Sequence, residues 1–217
     1  MWSLHPTGSL LRGGSHGRRG GGAGGRGSVR SHSAPDRGRA RGTGAAQLMS
    51  RHWLQPDWDP GVTVAQLPLQ PLMHRGIHAL LLDVDRTLLP GHDVTLPAPV
   101  LTWATEARRH LNLHLFSNNP SRQRIGAVAD QLQVEFTSGA AKPRRAALRR
   151  VLHQLQLQPE EMAIVGDRLF TDVLAGNRLG LFTVLVRPLR ADGTPCRHDR
   201  VQRLERHVAR WLGAGRR

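Results

Sequence analysis

Residues 77–88 read Ile77-His78-Ala79-Leu80-Leu81-Leu82-Asp83-Val84-Asp85-Arg86-Thr87-Leu88. A short apolar run that stops on an acid is the pattern of a parallel strand buried on both faces, over Ile77–Leu82. The same device recurs downstream. Leu113–Phe116 predicts a second strand, closing on Ser117-Asn118-Asn119. Val134–Phe136 predicts a third, short one. Met162–Val165 predicts a fourth, running into Gly166-Asp167, and Leu181–Val186 a fifth. Helices are expected over Pro97–Leu111, with proline in the first turn, and over Ser121–Leu132, with Ser121 as cap. Others are expected over Pro143–Leu155, with Pro143 at its first position, over Thr171–Leu179, stopped by Gly180, and over Asp199–Leu212. Residues 51–76, rich in Pro and Leu and carrying Trp53 and Trp58, read as an extended lead-in. Strand–helix alternation specifies an α/β fold, three layers around a parallel sheet. Ligands of such sheets bind at the carboxyl ends of the strands. Asp83, Asp85, Ser117, Lys142, Asp167 and Asp172 all fall at strand ends or at the helix starts that follow.

The chain has 217 residues, with 31 Lys+Arg against 16 Asp+Glu, a formal charge of +15. That balance excludes an acidic, calcium-buffering protein and invites polyanionic partners: nucleic acid, phospholipid headgroups or phosphorylated substrates. The single cysteine, Cys196, excludes a disulfide framework and a cysteine-built zinc or iron–sulfur centre within one chain. No apolar stretch approaches the roughly 18–20 residues of a membrane helix. Residues 1–50 hold 13 of the 24 glycines, 8 arginines and one acid, Asp36. Such a composition buries too little apolar surface to offset chain entropy, so residues 1–48 read as a disordered extension and 49–217 as one folded domain. Three readings of the extension stand: an Arg/Gly-rich RNA-binding segment, an organelle transit peptide, or an upstream stretch without function, translation starting at Met49. The last is favoured by the abrupt change of composition there. Cytoplasmic location is expected, with the membrane periphery and an organelle as alternatives.

Several carboxylates converging without His or Cys suit a hard, oxygen-seeking ion, Mg²⁺ rather than Zn²⁺. His52, His74, His78, His92, His110, His114 and His153 show no ligand spacing and read as surface or structural groups. Ser117, neighbouring backbone N–H groups and Lys142 offer donors to phosphate oxygens. One Asp of the Asp83–Asp85 pair is placed to act as nucleophile and the other as general acid and base. Of the 31 basic residues, 30 are arginine and one is Lys142. A lysine that survives near-complete replacement is expected where a compact ammonium is required and a planar fork does not fit. Asp172 has a second reading, as a first-turn carboxylate favoured by the helix dipole.

Taken in order, these residues resemble the four motifs of the haloacid dehalogenase (HAD) superfamily. Asp83-Val84-Asp85-Arg86-Thr87-Leu88 resembles the first, Ser117 the second, Lys142-Pro143 the third, and Gly166-Asp167 with Asp172 the fourth. More narrowly, Phe116-Ser117-Asn118-Asn119, Gly166-Asp167-Arg168-Leu169-Phe170-Thr171-Asp172 and Gly176-Asn177-Arg178 resemble the YqeG-like phosphatases of subclass IIIA, whose relatives include the mitochondrial phosphatidylglycerophosphate phosphatase. The resemblance covers about residues 50–190. It implies a Rossmann-like HAD fold and Mg²⁺-dependent phosphomonoester hydrolysis through an aspartyl-phosphate. Asp83 would be nucleophile and metal ligand. Asp85 would be general acid and base, its backbone carbonyl also on the metal. Ser117, Asn118 and Lys142 would bind the phosphoryl group, Asp167 and Asp172 would complete the metal site, and Thr87 would fix the loop. Arg86 stands where relatives usually carry Asn, and Arg168 where they often carry Gln.

Asp83 and Ser117 are 34 positions apart, and Ser117 and Lys142 are 25 apart, which leaves room for no cap domain. An uncapped site admits a large substrate, a lipid headgroup, a protein or a nucleic acid, and encloses a small metabolite poorly. In the last helix Val201, Leu204, Val208, Trp211 and Leu212 share one face and Arg200, Arg203, Arg206 and Arg210 the other. The favoured expectation is that the apolar stripe packs on the domain. The alternative is a basic amphipathic helix at an anionic membrane surface, which Trp53 and Trp58 would join. Phosphatidylglycerophosphate is the leading substrate expectation. A phosphatase of protein or nucleic acid, and a non-catalytic RNA-binding protein using the Arg/Gly segment, are the alternatives.

Overall fold

The chain folds around a five-stranded sheet in which every pairing is parallel, in the order β3-β2-β1-β4-β5. The strands are β1 (Ala79–Leu82), β2 (Asn112–Phe116), β3 (Glu135–Thr137), β4 (Met162–Gly166) and β5 (Phe182–Leu185). The helices are α1 (Gln70–His74), α2 (Ala98–Ala107), α3 (Arg122–Leu132), α4 (Ala146–Leu155), α5 (Leu174–Asn177) and α6 (Arg200–Trp211). This computed structural model describes residues 53–91, 93–190, 194–196 and 199–214. The 1–48 extension, Met49, His52 and His92 lie outside the described residues.

All four residues of β1 are buried, as a central parallel strand requires. Its pleat sends Leu80 and Leu82 into a core with α2 and α3, where Val100, Trp103, Ile125 and Val128 pack. Ala79 and Leu81 face the opposite layer, against Leu148, Val151 and Leu152 of α4 and Ala175 of α5. The three expected layers are therefore present. Register aligns Leu82 with Leu115 of β2 and Val165 of β4, so the three strands end level, and Asp83, Phe116–Ser117 and Gly166–Asp167 emerge side by side. A loop, α2 and β2 fill the chain between Asp83 and Ser117, and α3 and β3 precede Lys142.

Several boundaries differ from expectation. The lead-in is not simply extended. It holds a 3₁₀ turn at Val64–Gln66 and α1, and Trp58 bridges Val184 as a short parallel extension of the sheet. Trp58 packs on the core, whereas Trp53 is 55 % exposed beneath the Arg178 guanidinium. Pro143 does not open α4; the helix begins at Ala146, and residues 142–145 form a turn. The Thr171–Leu179 helix is a wide turn over Leu169–Val173 with i→i+5 character, followed by the short α5. Asn177 of α5 turns inward to donate to the carbonyls of Trp53 and Gln55. Ser121 caps α3 as expected, accepting from the Arg124 N–H at 3.2 Å, and Asp199 caps α6, accepting from the Gln202 N–H at 2.6 Å.

The largest correction concerns α6. Its inward residues are Gln202, Glu205 and Ala209, and the stripe Val201, Leu204, Trp211 and Leu212 faces outward, with Val208 half-buried. Polar anchors, with Ala209 packed against Leu54, Leu169 and Leu185, fix this helix. No helix among the described residues is long and apolar enough to cross a membrane.

Candidate active site

Asp83, Asp167 and Asp172 present carboxylate oxygens within 4.8 Å of one another, all three buried. Asp83 follows β1. Asp167 follows β4, and Asp172 sits in the wide turn, which folds back over Gly166. Gly166 has no side chain for a reason visible here: a Cβ on it would lie 2.3 Å from the Asp172 carboxyl carbon. The Gly166-Asp167 pair is thus a spatial requirement for bringing Asp172 in.

Lys142 fills the centre. Its Nζ donates to Asp83 Oδ1 at 2.5 Å, Asp172 Oδ1 at 2.7 Å and the Phe116 carbonyl at 2.8 Å. All three ammonium hydrogens are used at one point, which a guanidinium cannot reproduce. That explains the lone lysine of an otherwise all-arginine chain. Burial opposes its charge, but Asp172 and Asp83 outweigh burial and hold Lys142 above the ordinary lysine range. The Asn118 side chain accepts from the Lys142 N–H at 2.6 Å and donates to the Lys142 carbonyl at 3.1 Å. Both ends of this amide therefore clamp the Lys142 backbone, where the resemblance implied phosphoryl binding. Ser117 is fully buried at the end of β2, its Oγ accepting from the Asn119 N–H at 3.0 Å. Thr87 donates to Asp83 Oδ2 at 3.2 Å.

Burial, partly offset by Lys142 and reinforced by Asp172, pushes Asp83 from 3.8 to about 6. Burial, followed by the charges of Asp172 and Asp83, pushes Asp167 to about 8. Among the described residues Asp167 Oδ2 is buried without a hydrogen bond, and it lies 3.3 Å from Arg86 Nε. Three carboxylates share the Lys142 ammonium and the Arg86 guanidinium, which leaves the cluster short of positive charge when all three are ionised, and one buried Asp167 oxygen makes no hydrogen bond. Both observations fit a hard divalent cation held by oxygen. Asp83 accepts one bond on each oxygen and Asp167 Oδ2 none, so these two carboxylates could hold such an ion. Asp172 already accepts from Lys142, from the Arg168 N–H at 3.2 Å and from Thr171 Oγ1 at 3.3 Å.

The structure does not bring the Asp85 side chain into this cluster. Asp85 is 39 % exposed, and its Oδ1 accepts from Arg124 of α3 at 2.7 Å; Arg124 also donates to the Gly91 carbonyl. Arg124 was not singled out from the sequence, because 39 positions separate the pair. Arg86 adopts φ +68°, a left-handed conformation that costs a non-glycine residue roughly 1–2 kcal/mol. Asn tolerates that region better, so the departure at this position places strain as well as charge. Its guanidinium pairs with Asp199 at the start of α6 and with Asp167. α6 supplies two further residues that sequence reading missed. Glu205 accepts from Leu169 N–H at 2.8 Å and Arg168 Nε at 2.7 Å. Gln202 donates to the Asp167 carbonyl at 2.9 Å. Together they brace the loop that carries Asp167. Of the histidines, His114 is structural. Burial lowers it to about 4, and its Nε2 lies 2.9 Å from Thr137 Oγ1.

A family model for HAD-hydrolase-like proteins matches residues 139–205. "Probable phosphatase YqeG" of Bacillus subtilis is 31 % identical over 141 residues, spanning 64 % of this chain and 80 % of that protein. The mitochondrial phosphatidylglycerophosphatase GEP4 of Saccharomyces cerevisiae is 27 % identical over 70 % of this chain and 85 % of that protein. The chloroplastic phosphatidylglycerophosphate phosphatase 1 of Chlamydomonas reinhardtii is 43 % identical over 79 % of this chain and 65 % of that protein. Among solved structures, a HAD-like phosphatase from Mesorhizobium loti aligns at TM-score 0.42 and 20 % identity, covering 65 % of this chain and 90 % of that one.

Proposed function

The chain belongs to the HAD-like hydrolases, in the YqeG branch of phosphatases, and on that footing we propose that it hydrolyses phosphatidylglycerophosphate through an aspartyl-phosphate on Asp83, with Mg²⁺ as cofactor. The observation that carries the reaction class is the Asp83–Lys142–Asp172 arrangement beside Asp167. Asp83 has each oxygen oriented by one donor, Lys142 on one and Thr87 on the other, whereas Asp172 accepts three bonds.

Asp83 attacks phosphorus while the bond from phosphorus to the substrate alcohol oxygen breaks. Asp85 gives that oxygen its proton. A water then attacks the phosphoryl group, Asp85 takes the water's proton, and the bond from phosphorus to Asp83 breaks to release phosphate. Asp85 suits this because it lies two residues from the nucleophile, outside the buried cluster and open to solvent. Turning it toward the substrate exchanges its Arg124 contact for the leaving oxygen. Lys142 neutralises charge on the transferring group from within the cluster. Asp83 and Asp167 would hold the Mg²⁺ ion, which when bound supplies positive charge to the phosphoryl oxygens and keeps Asp83 ionised.

The lipid substrate rests on the relatives of GEP4 type and on the open site. The test is phosphate release by the full chain from phosphatidylglycerophosphate vesicles, beside a panel of soluble phosphomonoesters, with and without Mg²⁺, and with Asp83→Asn as control. Metal-dependent turnover that favours the lipid and vanishes in the control is expected. Turnover of soluble esters alone would remove the lipid assignment, and turnover surviving Asp83→Asn would remove the aspartyl-phosphate.

A further inference from the structure

The outward stripe of α6 has no counterpart in the reaction just described. Leu204 is 62 % exposed, Trp211 83 %, Leu212 50 % and Val201 38 %. At 100° per residue these four and Val208 span an arc of about 100°. The adjacent arc carries Arg200, Arg203, His207 and Arg210. Isolated exposed apolar residues are ordinary, but a contiguous stripe along three turns of one helix marks an interaction surface. The helix is not loosely attached. Gln202 and Glu205 bond it to the Asp167–Leu169 loop and Asp199 pairs with Arg86, so the stripe is held at a fixed place relative to the acid cluster.

Charge selects the occupant. A second copy would cover the stripe while setting two arginine arcs against each other in a chain of net +15. An anionic bilayer satisfies both arcs at once, since acyl chains take the stripe and headgroups the arginines. A tryptophan at the end of the stripe suits the boundary between them. Beside the basic arc, a cavity of about 300 Å³ is lined by Leu54, Leu169, Leu185, Ala209, Arg203 and Arg206, among others. Apolar surface edged by cations therefore continues toward the loop after Asp167.

We propose that the outward face of α6 is a bilayer-docking surface, on which the protein lies against an anionic phospholipid membrane. This deepens the lipid-phosphatase reading by naming where the substrate is met, and its test needs no turnover.

The full chain is sedimented with vesicles of phosphatidylcholine alone and of phosphatidylcholine with phosphatidylglycerol, neither of which is the substrate. Binding to the anionic vesicles, weakened by salt, is expected. The double variant Leu204→Glu/Trp211→Glu is expected to bind at least about tenfold more weakly, and Arg210→Gln roughly fivefold. Both should melt like the parent protein and release phosphate from a soluble ester at its rate. Absence of vesicle binding, or binding unchanged in the double variant, overturns the proposal. So does self-association that the double variant abolishes. Vesicle binding of this pattern without turnover of phosphatidylglycerophosphate leaves the docking face standing and removes the substrate assignment alone.

Discussion

Replacing Lys142 by arginine keeps the charge and tests whether its geometry matters. The ammonium donates three bonds, at 2.5, 2.7 and 2.8 Å, from a single nitrogen whose side chain is 1 % exposed. A guanidinium spreads its donors over a plane and needs more room than the pocket leaves. Overpacking a filled site costs about 1–3 kcal/mol. Losing one bond to a charged or buried acceptor costs about 1.5–3 kcal/mol. The sum, roughly 2.5–6 kcal/mol, lowers the melting temperature of a domain this size by about 10 °C or more. In the proposed mechanism, a displacement of about 1 Å at the nitrogen that orients Asp83 lowers turnover about a hundredfold. The assay is phosphate release at a temperature where circular dichroism shows the variant folded, beside a thermal melt. A Lys142→Arg protein with parental kcat and Tm would refute the reasoning, because the three-way convergence would then carry neither stability nor rate.

Gly166→Ala sets a methyl 2.3 Å from the Asp172 carboxyl carbon, so Asp172 must leave the cluster. Turnover is expected to fall at least about a hundredfold, and parental activity would show that Asp172 does not orient Lys142. Glu205→Ala strips the acceptor from the Leu169 N–H and from Arg168, a loss of about 2–4 kcal/mol; a lower Tm with a lower kcat at unchanged KM is expected. The pH dependence of the metal-free protein follows from Asp167 and Asp83, pushed to about 8 and about 6 by burial first. Each keeps its proton when folded but loses it near pH 4 when unfolded, so stability falls as pH rises from about 4 to about 8. In EDTA the Tm should drop between pH 5 and pH 8, and Mg²⁺ should raise it more at pH 8. A Mg²⁺ effect equal at both pH values, or absent, would show that the cluster is not the ion's seat.

Much of this molecule is written locally. The run Ala79–Leu82 ending on Asp83, and Met162–Gly166 ending on Asp167, identify buried parallel strands and their carboxyl ends, because burial on both faces leaves an uninterrupted apolar run. The order of strands and helices, the Ser121 cap and the isolated Lys142 are legible for the same reason: each depends on residues within a few positions. The boundaries of α4 and of the turn after Asp167 were not, since the Asn118 clamp on Lys142 and the packing of Asp172 over Gly166 come from chain far away.

Tertiary structure alone decided three matters. It turned Asp85 to Arg124, 39 positions distant, and tied Arg86 to both Asp167 and Asp199. It also chose which side of α6 to bury. Periodicity reports that a helix has an apolar face, but not that the face points inward. Here Gln202 donates to the Asp167 carbonyl, and Glu205 accepts from the Leu169 N–H and the Arg168 guanidinium, all in the Asp167–Leu169 loop. Leaving such buried polar groups unpaired would cost about 1–3 kcal/mol each, and pairing them holds the polar face against the domain. The apolar stripe is left to the outside.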